Sequence, residues 1–216
     1  NIDKMAVACF EMLRDSYSKE YSEIMELFYG IYMSEIISIE NNECLSMKPE
    51  CFFILDLPVW DITKNSPVNN LLECFELYCR PEFLEGENAW YNEKTEKKEN
   101  VKKQLTFWNL PKILVIVLKR FSPCGQYKLN SVIDFPIDNL DLSQYIKGYN
   151  KTMFQYDLYG VCNHIGGVMG GHYTAFVRNS EDQWLHYNDS SVEILPSSQN
   201  IITPMAIEGK EPIGSM

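Results

Sequence analysis

The sequence predicts an α+β fold with a mainly antiparallel sheet, and three observations predict it. Apolar residues near the start recur at spacings of three and four, the mark of an amphipathic helix. Short β-rich runs separated by glycines and polar clusters fill the second half. A helix first and strands later is the order of the α+β class.

Taken in order, residues 4–29 read as helical, with Met5, Cys9, Phe10, Leu13 and Tyr17, then Tyr21, Ile24, Met25 and Phe28, on the repeat, and Gly30 placed as terminator. Residues 31–39 and 51–59 are short β-rich runs able to pair. Ser66-Pro67 reads as an N-cap followed by proline at the first helical position, with Val68, Leu71, Leu72 and Phe75 as the buried stripe. Residues 82–103 are charged, and 92–99 within them form the expected solvated loop or hairpin tip. Strands follow at 105–108 and at 113–118, the latter apolar on both faces and so expected at the centre of a sheet. Further strands are expected at 154–162, 172–178, 184–187 and 192–195.

Composition bounds the function. The 216 residues are 45% hydrophobic and 23% charged, an ordinary globular balance. No apolar run reaches the length of a membrane span, about 18 residues. Nineteen basic against thirty acidic residues give a net charge of −11, which argues against nucleic acid or an anionic membrane as partner. The acidity fits a neutral or basic partner, and equally a role in solubility alone. Seven cysteines without repeated spacing, and no signal-peptide pattern, point to a reduced cytoplasmic or nuclear compartment. The first residue is Asn1, so the chain is expected to begin inside a longer protein.

The densest chemical signal is Tyr159-Gly160-Val161-Cys162-Asn163-His164, then Gly166-Gly167, then Gly170-Gly171-His172-Tyr173-Thr174-Ala175. Four glycines between two strands let a loop bring its backbone close to another chain. A histidine directly after that loop projects from a rigid strand, a sound place for a general base. Read alone, it is as consistent with a structural histidine. About a dozen residues on, Trp184-Leu185-His186-Tyr187-Asn188-Asp189 supplies an amide and a carboxylate. A strand carrying them, paired with the His172 strand, would bring either to the imidazole, which needs such a partner to fix its tautomer. Alone, Asn188-Asp189 also reads as a turn.

Together, Asn163-His164, Gly171-His172-Tyr173-Thr174-Ala175, Trp184 and Tyr187-Asn188-Asp189-Ser190-Ser191-Val192 resemble the histidine box of the ubiquitin-specific proteases. Leu110-Pro111, Leu118-Lys119-Arg120-Phe121, Asp134-Phe135-Pro136 and Leu140-Asp141-Leu142-Ser143-Gln144-Tyr145 are similar to that family's upstream landmarks, and Ser22-Glu23-Ile24, Leu27-Phe28 and Gly30 to the stretch before them. The resemblance covers residues 20–206. It implies a papain-like cysteine protease fold, here the fingers and palm portion over residues 1–206 with an N-terminal helix and the thumb largely absent. It implies a deubiquitinase that hydrolyses the bond after the C-terminal glycine of ubiquitin. His172 would be the general base, Asn188 its orienting partner and Asp189 a neighbouring support. Gly166, Gly167, Gly170, Gly171, Tyr173, Phe121 and Tyr127 would lie on the two loops, 121–130 and 165–171, that flank ubiquitin's tail. No cofactor is implied; the partners are ubiquitin and ubiquitinated proteins.

Three departures qualify the resemblance. The family's cysteine box is not in the sequence, so the nucleophile is expected upstream of residue 1 and this chain alone is expected to be inactive. Cys9 reads as core packing, and Cys162 lacks a matching motif. Where many members place two Cys-x-x-Cys pairs for zinc, Ser38, Asn41, Asn92 and Thr95 stand here, none a thiolate donor, so no metal site is expected. The closing strand is replaced by residues 207–216, an atypical polar tail of the kind left by truncation or by an expression vector. A ubiquitin-binding pseudoenzyme and a papain-like protease for other peptides are the competing expectations.

Overall fold

The helical periodicity at the start is realised as two helices, α1 (Ile2–Tyr17) and α2 (Glu23–Phe28). The break arises because Ser22 caps the second helix, its side chain accepting from Ile24 N at 3.2 Å. Gly30 is not the terminator. The chain leaves the helix at Tyr29, which is extended, and Gly30 opens the first strand, β1 (Gly30–Ser38). A Cβ on Gly30 would overlap the Phe52 ring and lie 2.9 Å from Pro111 Cδ, so the glycine serves close packing.

The structure, a computed structural model, describes residues 2–19, 21–122, 124–149 and 154–195. They fall into two units, drawn from Asn1–Leu57, Glu76–Val117 and Leu142–Phe154, and from Pro58–Phe75, Leu118–Asp141 and Gln155–Met216. The expectations placed on residues 196–216, the tail among them, lie outside the described residues.

After β1 come β2 (Cys44–Phe52) and β3 (Ile54–Pro58), so the expected 51–59 strand is the end of one strand and most of another. Next, β4 (Trp60–Asp61) and β5 (Ser66–Pro67) pair with each other. Ser66-Pro67 therefore does not start the helix. That helix, α3 (Leu71–Cys79), begins later because Asn70 offers a better cap. Asn70 Oδ1 accepts from Glu73 N at 2.9 Å, and the Glu73 carboxylate accepts in return from Asn69 N and Asn70 Nδ2, both at 2.9 Å. Cys74 and Phe75 form its buried side, while Leu72 is exposed.

The charged stretch is strand and hairpin rather than open loop: β6 (Glu82–Leu84), then β7 (Trp90–Asn92) paired with β8 (Lys97–Glu99), then β9 (Val101–Asn109). Glu99 Oε1 accepts from Asn92 Nδ2 at 2.9 Å and from Thr95 Oγ1 at 2.6 Å, closing the hairpin tip. In the first unit the sheet runs β2-β1-β9-β6, all antiparallel. Against it α1 packs Met5 and Cys9 onto Ile31 and Met33. The run at 113–118 is β10 (Val115–Lys119), which among the described residues pairs only with β3 in a two-stranded sheet and is half-buried. It is not central: an apolar run marks burial by any neighbour, not the middle of a sheet.

In the second unit β11 (Leu140–Asp141) pairs with β12 (Gln155–Tyr156), and an antiparallel meander follows: β13 (Gly160–Gly167), β14 (Gly170–Arg178), β15 (Trp184–Asn188) and β16 (Ser191–Ile194). The expected 154–162 strand is thus split between β12 and β13. Phe176, fully buried, packs with Trp184, Ile137 and Leu195 as the core beneath this sheet. Burying such a side chain contributes about 1.5–3 kcal/mol each, so the sheet that carries the candidate residues is firmly founded.

Candidate active site

The glycine-rich segment is not a loop. Gly166 pairs with Gly171 and Gly167 with Gly170 in the β13–β14 ladder, leaving only Val168 and Met169 as the turn. Strand pairing fixes which side chains share a face, because directly opposed residues point the same way and neighbours alternate. Ile165 opposes His172, so His172, Thr174 and Phe176 share one face with Ile165, Asn163 and Val161. Gly171, Tyr173 and Ala175 share the other with Gly166, His164 and Cys162. Phe176 opposes His186 in turn, which places Asn188, two residues on, on the His172 face.

There the two candidates meet. His172 Nε2 lies 2.6 Å from Asn188 Oδ1. An amide oxygen only accepts, so Nε2 carries the proton and Nδ1 holds the free lone pair. Among the described residues Nδ1 has no partner. A half-buried imidazole held in that tautomer, on a strand rather than a loop, can take a proton through Nδ1 while the amide fixes its plane. Asp189 occupies the two-residue turn between β15 and β16 with φ 49°, a left-handed conformation that Asp tolerates.

The expected tail-binding residues divide. Gly166, Gly167 and Gly170 line a cavity of about 370 Å³ whose other wall is residues 126–128 and Asn130, Tyr127 included. Gly171, two residues after the turn, does not line it: the space for a side chain there is filled by the His164 ring. Phe121 and Tyr173 do not line it either. Both rings pack on His164, with centroids at 5.9 Å and 4.7 Å. The 121–130 loop is itself anchored at its root, where Arg120 Nη1 donates to Leu129 O at 3.2 Å and Ser131 O at 2.6 Å.

The thiols sort by setting. Cys9 is buried in the first unit, and burial, with a smaller push from Cys51, raises its pKa to about 11. Cys162 is exposed but on the face away from His172. Cys124, exposed on the 121–130 loop, has its pKa lowered chiefly by the Ser122 hydroxyl and then by the Gln126 amide. Among the described residues no group of three or more His, Cys, Asp or Glu is gathered as a metal site requires, and no helix is long and apolar enough to cross a membrane.

Lys128 and His164 received no role from the sequence, although both are central here. The Lys128 ammonium donates to His164 O and reaches Gly166 O at 3.4 Å. A lone lysine in a loop carries no signal in one sequence that its partner is a backbone carbonyl 36 residues away.

Comparison with known proteins gives the family and the fold. The family model described as ubiquitin carboxyl-terminal hydrolase matches residues 3–209. Ubiquitin carboxyl-terminal hydrolase 15 of Homo sapiens is 40% identical over 137 residues, covering 62% of this chain and 14% of the relative. Ubiquitin carboxyl-terminal hydrolase 8 of Arabidopsis thaliana is 41% identical over 140 residues, covering 63% of this chain and 16% of the relative. The chain therefore spans about one-seventh of the length of such relatives. Among solved structures, the SAGA DUB module containing Ubp8, bound to monoubiquitin, matches with a TM-score of 0.69 and 26% identity, over 90% of this chain and 43% of that one. A yeast SAGA DUB module carrying a mutated Sgf73 matches with a TM-score of 0.71 and 27% identity, over 89% of this chain and 42% of that one.

Proposed function

The chain belongs to the ubiquitin carboxyl-terminal hydrolase family and has the papain-like fold of a ubiquitin-specific protease catalytic domain; from that premise we propose that the complete protein is a thiol-dependent deubiquitinase in which His172 is the general base. One observation carries the reading, the 2.6 Å bond between His172 Nε2 and Asn188 Oδ1. It leaves Nδ1 to accept a thiol proton, and an amide is sufficient to hold the ring for that task.

The chemistry follows from those two residues. A cysteine supplied by a segment N-terminal to residue 1 gives its proton to His172 Nδ1. The thiolate attacks the carbonyl carbon of ubiquitin's last glycine, and the imidazolium returns the proton to the departing amine. Water, deprotonated by the same nitrogen, then releases ubiquitin from the thioester. The cavity between residues 126–130 and 166–170 is the proposed seat of the Gly-Gly tail, a reading supported by the open space where a Cβ on Gly167 or Gly170 would lie. The net charge of −11 suits a partner with arginines near its C-terminus.

Ubiquitin bearing a C-terminal electrophile tests the reading on the complete protein. A covalent adduct at a cysteine upstream of this chain, lost in His172→Ala, is the expected result. Reversible binding of ubiquitin with no adduct and no turnover would identify a pseudoenzyme instead.

A further inference from the structure

The 121–130 loop and the β13–β14 hairpin form opposite walls of the cavity, yet among the described residues no strand pairing joins them. What joins them is two side chains on one residue. Phe121 and Lys128 bridge one another antiparallel across the neck of the loop. From that neck the Phe121 ring packs on the His164 ring, while the Lys128 ammonium donates to His164 O and reaches Gly166 O at 3.4 Å. His164 is thus held by its ring and by its carbonyl from the same short neck. On its far side the ring contacts Tyr173 and fills the space beside Gly171, the residue before His172.

Lys128 is an unusual choice for such a place. Burial and the nearby Arg120 guanidinium both lower its pKa, and the two carbonyls it meets favour the charged form in return. Charged donors make stronger hydrogen bonds to carbonyls than neutral ones do. Gly166, one of those acceptors, has φ 131°, a conformation left to glycine.

We propose that Lys128 is a positioning residue: its ammonium latches the glycine hairpin to the neck of the opposite loop and so sets the width of the cavity between them. The proposal rests on the deubiquitinase reading for its consequence but not for its physical content. The latch holds the hairpin by its carbonyls, so it exists before substrate arrives. That separates it from a lysine that touches ubiquitin directly.

The test compares Lys128→Met and Lys128→Arg in the complete protein. In the absence of ubiquitin, amide hydrogen exchange at residues 166–170 is expected to be at least about ten-fold faster in the Met variant and restored by Arg, as loss of a charge-assisted bond implies. Amides of β14 and β15 around Phe176 and His186 are expected to keep their protection, which a merely structural role would not allow. With a fluorogenic ubiquitin substrate, the Met variant is expected to show a raised KM and a smaller change in kcat. Unchanged exchange at 166–170 would overturn the latch, and so would acceleration spread evenly over the sheet. If the unmodified protein turns over no ubiquitin, the deubiquitinase reading fails while the exchange result still decides the latch.

Discussion

The imidazole of His164 stands where a side chain on Gly171 would have to go: a Cβ there would overlap Nε2 of the ring and the Ile165 carbonyl. The same holds for Gly166, whose Cβ would lie 2.6 Å from Gly171 Cα and 2.7 Å from Gly170 O. These two glycines are required by the chain's own packing. Gly167 differs, because nothing lies within 4 Å of its Cβ position.

Gly171→Ala is therefore expected to force the His164 ring from its place between Phe121 and Tyr173. Overpacking of this kind costs about 1–3 kcal/mol. Urea denaturation of the complete protein would report it as a lower midpoint at unchanged slope.

Gly167→Ala is expected to leave stability within about 0.5 kcal/mol, as for a surface substitution in open space. Its methyl borders the cavity, so KM for a ubiquitin substrate is expected to rise by about ten-fold, equivalent to roughly 1.4 kcal/mol of lost binding. A variant with unchanged KM would remove this cavity from the account of tail binding.

Buried thiols give the fold an alkaline limit. Burial holds Cys9 near 11 and Cys79 near 12, against 9.0 for a free thiol. The folded pKa is the higher one, so the protonated thiols' contribution is complete below about pH 9 and is lost as pH rises through about 11 for Cys9 and about 12 for Cys79. Urea midpoints measured from pH 8 to 11 are expected to fall across that window, and Cys9→Ala is expected to flatten part of the fall.

Cys124 is expected to alkylate with iodoacetamide at neutral pH before Cys9, Cys74 and Cys79, because it is exposed and its pKa is lowered by Ser122 while burial raises the other three. Peptide mass spectrometry over a time course measures the order, and Ser122→Ala is expected to slow the reaction at Cys124.

Much of this was legible because it is written locally. The spacing from His172 to Asn188 follows from one antiparallel pairing, and strand alternation puts both on one face. Other features depend on neighbours that no short window contains. Ser66-Pro67 carries a sound helix-start signal, yet the box formed by Asn70 and Glu73 starts the helix four residues later. The four glycines read as a loop, since an isolated sequence does not reveal that Gly166 and Gly171 face one another in a ladder. That the Phe121 and Tyr173 rings both pack on His164 is likewise invisible in any short window. Lys128 had no sequence signal, because its partners are main-chain atoms.

The proposed chemistry requires the His172 ring to act as a base through the nitrogen that Asn188 leaves free. Its most direct measurement is kcat for a fluorogenic ubiquitin substrate in the complete protein with and without His172→Ala, the two proteins matched for thermal midpoint. Loss of the base is expected to lower kcat by at least about a thousand-fold. Turnover at the unmodified rate by the alanine variant would contradict it.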